Sequence, residues 1–265
     1  WAVPPLDPIM REAFRTTWQE SHVSAIISHI PFLVNLASPD KELCEKSVDR
    51  LAVELQRAFD LGITTVVLHP GSAKGIPYSS ALCRVADNIR IAVTRAKVES
   101  INLLVETMAG QGTSLGSKFE QLAEIIALVK DDVKIGVCVD TAHIYEAGYD
   151  IKGYDGYSHI WALFDKVIGI QRLGAIHVND SLAPYNSRID RHAPIGEGQI
   201  GLQFFHALVR DARFDRVPII SEVPDLLADG ERNFRLLVKL RDMPNDLPAD
   251  DNRIITGVMQ YTLPF

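Results

Sequence analysis

Ile135-Gly136-Val137-Cys138-Val139 is a short apolar run that closes on Asp140, and His143 stands three residues further on. A run of this length without polar alternation reads as a strand buried on both faces, the pattern of a parallel sheet. Five more such runs occur, at 24–28, 64–68, 101–105, 173–176 and 218–221. Amphipathic stretches fill the gaps, at 40–61, 79–99, 118–130, 157–169, 202–211 and 229–241. In the first of these, Leu43, Val48, Leu51, Leu55, Ala58 and Phe59 share one face and Gly62 marks the stop. Strand–helix alternation at nearly even spacing predicts an α/β fold of the (β/α)8 TIM-barrel type. No G-x-G-x-x-G follows the first strand, which weighs against a doubly wound open sheet. Six recognisable strands are two short of closure, so the first two βα units are expected to be lacking. Residues 1–241 read as a single barrel-like domain and 242–265 as a C-terminal tail suited to covering a sheet edge.

The residues that close the six runs are His29, His69, Glu106, Asp140, His177 and Glu222. In a parallel barrel, chemistry sits at the C-terminal ends of strands. The chain has 8 histidines and 34 acidic residues among 265. Six such closing residues in a row would arise by chance roughly once in tens of thousands of trials, before allowing for freedom in drawing strand ends. Three more lie in adjoining loops. His143 follows Asp140 at a spacing that one helical turn places on one side. Asp190 and His192 flank Arg191 at the i, i+2 spacing that points two side chains to one face of extended chain. Imidazole with carboxylate and no thiolate suits zinc, with manganese an alternative occupant at one or more sites. Nine such groups exceed what one ion needs and are enough for three. Three divalent ions against four carboxylates leave a local charge of about +2 with neutral imidazoles, enough to draw in a phosphodiester.

The formal charge of −7 and ordinary balance of 47% apolar and 23% charged residues argue against broad electrostatic coating of nucleic acid. They are compatible with such a local positive site. Arg188, just before the Asp190/His192 pair, and Arg191, within it, suit phosphate contacts, as does Gln111 within Gly110-Gln111-Gly112. Phe32, Trp18 and Tyr185 are aromatic candidates for stacking on bases. His22, His159 and His206 read as helix or loop surface residues. Cys44, Cys83 and Cys138 lie far apart with no C-x-x-C and read as buried, reduced thiols. No apolar run reaches membrane-spanning length and no signal peptide opens the chain, so a cytoplasmic, monomeric protein is expected.

These residues sit in motifs that resemble the endonuclease IV family of apurinic/apyrimidinic endonucleases. The matching stretches are His69-Pro70-Gly71-Ser72, Glu106 with Ala109-Gly110-Gln111-Gly112, Gly136 to His143, His177-Val178-Asn179-Asp180-Ser181, Ser187 to His192, and Gly196-Glu197-Gly198-Gln199-Ile200-Gly201. The resemblance implies three zinc ions and hydrolysis of double-stranded DNA on the 5′ side of an abasic site, leaving a 3′-hydroxyl, as in base excision repair. It implies His29, His69 and Glu106 on one ion, with Glu106 bridging to a second held by Asp140, His177 and Glu222. His143, Asp190 and His192 would take the third. Glu106, Asp190 and Glu222 would be the catalytic carboxylates, with Glu222 as base or orienting group. Phe32, Gln111, Arg188 and Arg191 would contact DNA. The chain departs from the family pattern after His29, where Ile30-Pro31-Phe32 replaces a polar pair and Tyr, and after Glu106, where Thr107-Met108 replaces Asn-Thr. Two rivals stand beside this reading. One is a xylose-isomerase-like sugar isomerase or epimerase on one or two ions, which would have no need of the Asp190/His192 pair. The other is a truncated, metal-binding remnant of weak activity.

Overall fold

The computed structural model describes residues 1, 3–98, 100–222, 228–244 and 246–247. Contacts divide it into two compact units, one comprising Trp1–Thr107 and Gly112–Cys138, the other Met108–Gln111 and the chain from Val139 onward.

The first unit contains α1 (Pro8–Glu20), β1 (Ile27–His29), α2 (Lys41–Leu61), β2 (Thr65–Leu68), α3 (Tyr78–Ala96), β3 (Asn102–Glu106), α4 (Phe119–Val129) and most of β4 (Ile135–Asp140). Its strands run parallel in the order β1-β2-β3-β4, with Ile27 opposite Thr65, Thr65 opposite Asn102 and Leu103 opposite Ile135. Val66, Val67, Leu68, Leu103, Leu104 and Val105 are all buried, as strands covered on both faces require. Burying each such side chain contributes about 1.5–3 kcal/mol relative to leaving it in water. Asp40 starts α2 by accepting a hydrogen bond from the Leu43 amide (3.0 Å), and Gly62, at φ +83°, ends it. Val48, Leu51, Leu55 and Ala58 face the core as the periodicity requires, but Phe59, expected on the same face, is half exposed.

Two local expectations are corrected here. The first strand begins at Ile27 rather than at residue 24. A helix, α1, precedes it, outside the amphipathic stretches expected from the sequence. Asp7 caps that helix at the Ile9 and Met10 amides and Pro8 occupies its first turn, yet none of its residues is buried. Its apolar residues Met10, Phe14 and Trp18 do recur at the i, i+4 spacing of one helix face, although none of them is buried. Trp18 belongs to it and is engaged locally, edge-on to Phe14 and donating its indole N–H to the Val23 carbonyl.

The second unit carries the end of β4, α5 (Thr141–Glu146), α6 (Gly153–Val167), β5 (Leu173–His177), β6 (Asp180–Ser181), β7 (His192–Ala193), α7 (Leu202–Val209), β8 (Ile219–Ile220) and α8 (Ala228–Asp242). β5 and β8 pair in parallel, with His177 opposite Ile220, and β6 and β7 form a small antiparallel ladder with Ser181 opposite His192. Trp161, Phe164 and Phe204 are fully buried, and Phe214 packs on Trp161 at 4.6 Å between ring centroids. All six expected strands are therefore present, each paired in parallel with a neighbour. Most of the stretch read as a tail, from residue 248, lies outside the described residues.

His206 is not a surface residue. It is buried, hydrogen-bonded to the Tyr154 hydroxyl (2.9 Å) and to the Met243 carbonyl (3.2 Å). Of the three cysteines only Cys138 is buried; Cys44 is partly exposed and Cys83 exposed. Among the described residues no helix is long and apolar enough to cross a membrane.

Candidate metal centre

In the first unit the parallel register brings three strand ends together. β1 closes on His29, β3 closes on Glu106, and His69 follows directly on β2. His29 Nε2 lies 2.9 Å and His69 Nε2 3.2 Å from the same oxygen, Oε2 of Glu106. The two rings meet edge to face at 5.0 Å. The Glu106 side chain is fully buried, whereas those of His29 and His69 are 32% and 27% exposed. His29 Nδ1 contacts the Ile30 carbonyl at 2.8 Å, and a carbonyl can only accept, so Nδ1 carries a proton. In the neutral ring the Nε2 lone pair then faces a carboxylate oxygen. That arrangement is favourable only with a cation, or a proton, between the two.

The loop after His69 is held by Asn35, a residue the sequence gave no reason to select. Its side chain accepts from the Ser72 amide (2.9 Å) and donates to the Ser72 carbonyl (3.0 Å). Gly71, at φ +97°, passes so close that an added Cβ would lie 2.3 Å from Asn35 Oδ1. This accounts for the glycine in His69-Pro70-Gly71-Ser72.

In the second unit Asp140 ends β4 and caps α5, its Oδ1 accepting from the His143 amide at 2.9 Å. The cap turns the chain so that His143 and Asp140 point the same way. β7 supplies His192 from the facing loop. His143 Nε2 lies 3.2 Å from Asp190 Oδ2, and His192 Nε2 lies 3.5 Å from Asp190 Oδ1 and 3.6 Å from Asp140 Oδ2. Potential ligand atoms of Asp140, His143 and His192 all lie within 4.8 Å of one another. Burial disfavours charge on His192, but the carboxylates of Asp140 and Asp190 outweigh it and raise the imidazole pKa above its ordinary value. His192 Nδ1 lies 3.1 Å from the Glu222 carbonyl, which turns Nε2 toward the cluster. A second pair lies in the same unit, His177 Nδ1 and Glu222 Oε2 at 3.0 Å. Buried Asn179 links the groups, donating to Asp140 Oδ2 (2.7 Å) and accepting from the Glu222 amide (2.8 Å). Buried imidazoles and carboxylates converging in this way fit a borderline divalent ion such as zinc.

The remaining candidates are more dispersed. Phe32 is 87% exposed. Gln111 Oε1 accepts from the Asp190 amide at 3.4 Å. Arg188 adopts a left-handed conformation at φ +56° and donates its amide to the Glu146 carbonyl. The Arg191 guanidinium contacts the Asp190 carbonyl at 2.6 Å. Tyr185 is anchored by its hydroxyl to the Gly148 carbonyl and packs against Tyr145. Asn179, Asp180 and Ser181 belong to the His177-Val178-Asn179-Asp180-Ser181 motif, and the resemblance assigns none of the three a role. Glu146 carried no signal at all, because a carboxylate at a helix end is ordinarily a solvated one.

Parallel strands alternating with helices and closing on imidazoles and carboxylates define a barrel-type protein with candidate metal-binding clusters. The sequence pattern of the xylose isomerase-like TIM barrels matches residues 2–240. A protein named probable endonuclease 4 from Chloroflexus aurantiacus is 41% identical over 242 residues, covering 91% of this chain and 85% of its own. The crystal structure of endonuclease IV from Thermus thermophilus superposes with a TM-score of 0.80 at 34% identity, covering 91% of this chain and 84% of that one. The TTHB071 protein of the same organism, in crystals soaked with zinc chloride, gives a TM-score of 0.60 at 25% identity over 91% of this chain and 88% of its own. The chain belongs to the endonuclease IV family of TIM-barrel proteins, with six strands of an incomplete barrel.

Proposed function

We propose that this protein is a zinc-dependent DNA-repair endonuclease that hydrolyses the phosphodiester on the 5′ side of an abasic site and leaves a 3′-hydroxyl. The observation that carries this reading is the Asp140/His143/Asp190/His192 cluster, with a histidine and a carboxylate supplied by a short β-ladder and its loop. A sugar isomerase or epimerase on the same framework has no need of that additional pair. The names of the endonuclease 4 and endonuclease IV relatives support a nuclease, and the zinc-soaked relative supports the choice of metal.

The proposed ligands are His29, His69, Glu106, Asp140, His143, His177, Asp190, His192 and Glu222. Bound zinc would supply Lewis-acid charge and make water acidic near neutral pH. The protein's own groups would do the rest. Glu106, buried beneath two imidazoles, would hold negative charge where it offsets the ions without reaching substrate. Glu222, whose side chain is 34% exposed, would take up or orient a proton, its backbone fixed by Asn179. Asp190, whose side chain is 40% exposed, would keep the imidazoles of His143 and His192 in register. Arg188 and Arg191 would contact phosphates, Gln111 the DNA strand, and Phe32 would stack on a base.

The test combines metal analysis with incision of a synthetic duplex carrying one abasic site. Three zinc ions per chain and a single nick 5′ to the lesion are expected. Asp190→Ala should lose one ion and most of the activity. One or two manganese ions, no nick and epimerisation of a ketose would favour the isomerase reading instead.

A further inference from the structure

Glu146 is the last residue of α5, and its side chain is buried although no ligand role falls to it. One oxygen, Oε1, accepts from the Arg191 amide (3.1 Å) and from the Ser181 hydroxyl (2.7 Å). Its other oxygen is buried with no hydrogen-bond partner. The backbone carbonyl of Glu146 accepts from the Arg188 amide (3.0 Å), and the carbonyl of Tyr145 accepts from the Asn186 amide (3.2 Å). Asn186 and Arg188 both sit in the left-handed region, at φ +57° and +56°, a conformation that needs such outside support. The end of α5 thus grips the 186–191 segment at three amides, and the last of these lies between Asp190 and His192. Ser181 stands opposite His192 in the ladder, so Glu146 is bonded to β6 and to the residue immediately before β7.

Burying a carboxyl with one oxygen unpartnered is costly. Such a cost is offset where the group fixes something else, here the loop that must bring Asp190 and His192 onto His143. We propose that Glu146 is a positioning residue for metal binding at the His143/Asp190/His192 cluster, acting through its acceptor bonds to the Arg191 amide and the Ser181 hydroxyl. The proposal rests on the metal-site reading given above. Groups hydrogen-bonded directly to a ligand typically govern metal affinity by about 10–100-fold, and Glu146 acts one link further out, through the segment that carries two ligands, so the lower end of that range applies.

The experiment titrates zinc into the full metal-free chain against a chromophoric chelator, comparing the wild type with Asp190→Ala, Glu146→Ala and Glu146→Gln. Glu146→Ala is expected to weaken one zinc by about 10-fold, leaving the others unchanged. Glu146→Gln keeps an acceptor oxygen and is expected to stay within about 3-fold of wild type. If Asp190→Ala binds as much zinc as the wild type, the cluster holds no metal and the underlying reading fails. If Asp190→Ala loses an ion but Glu146→Ala binds like the wild type, the positioning role is overturned and the metal site stands. Equal weakening in Glu146→Ala and Glu146→Gln also overturns it, because acceptor geometry would then be irrelevant. Should Glu146→Ala fail to fold, Ser181→Ala replaces it, with about 3–10-fold weakening of the same ion expected and none overturning the proposal.

Discussion

Asp180→Asn isolates one buried carboxylate with no proposed part in the chemistry. Asp180 is fully buried, and its Oδ1 accepts from the amides of Ser181 and Ile200, both at 2.9 Å. Its Oδ2 accepts from the amides of Gly196 (3.0 Å) and Gly198 (3.2 Å). Gly198 passes so close that a Cβ there would lie 2.4 Å from Oδ1. Asparagine preserves the shape but turns one oxygen into an NH2 group. Two of the four amides then face a donor and lose their acceptor. A buried donor left without its acceptor costs about 1–3 kcal/mol, so two cost about 2–6 kcal/mol. For a chain of this size that is a fall of about 10 °C in Tm. Thermal unfolding followed by circular dichroism, with urea denaturation as a second measure, checks it. A melting point within about 2 °C of wild type would refute the claim that the carboxylate holds the 196–200 loop.

Three further outcomes are expected. Stripping the metal with a chelator should abolish incision and lower Tm, because ions that bind only the folded state stabilise it, and zinc added back should restore both. Tyr157→Phe removes the donor at 2.6 Å from Asp211 Oδ2 while Arg213 still holds that carboxylate, so a loss of about 1–2 kcal/mol with unchanged zinc content is expected from denaturant melts. Burial, only partly offset by the Ser181 and Arg191 bonds, pushes the Glu146 carboxyl up to about 7 from 4.5. A raised carboxyl pKa favours the folded state fully below about 4.5, and that contribution is lost as pH rises through about 7. Stability of the metal-free wild type relative to Glu146→Gln should therefore decline across that window, and a pH-independent difference would count against it.

The parallel strands were legible because burial on both faces writes continuous apolar runs, as in β2, β3 and β4. Their closing residues stood out because His29, Glu106 and Asp140 each interrupt such a run with a polar group. The i, i+2 spacing of Asp190 and His192 survived into the structure because His192 begins β7, where side chains alternate. What escaped detection was held by hydrogen bonds rather than by pattern. α1 is the exception, since Met10, Phe14 and Trp18 recur at helical spacing, but none of them is buried. Asn35, Asn179, Asp180 and Glu146 act through amides that lie dozens of residues away along the chain in several cases, and no local spacing records those partners. His206 read as a surface residue because its neighbours in sequence do not reveal that Tyr154 and Met243 enclose it.

α1 touches the rest of the first unit without placing a single side chain in the interior, and the segment before it is tied down by Arg57 donating to the Pro4 carbonyl and Arg50 to the Trp1 carbonyl. Its backbone amides should therefore exchange with deuterated solvent well ahead of those in β2 and β3. That makes the stretch a convenient attachment point for a fluorophore or an affinity handle, since a label there would leave the packing beneath undisturbed.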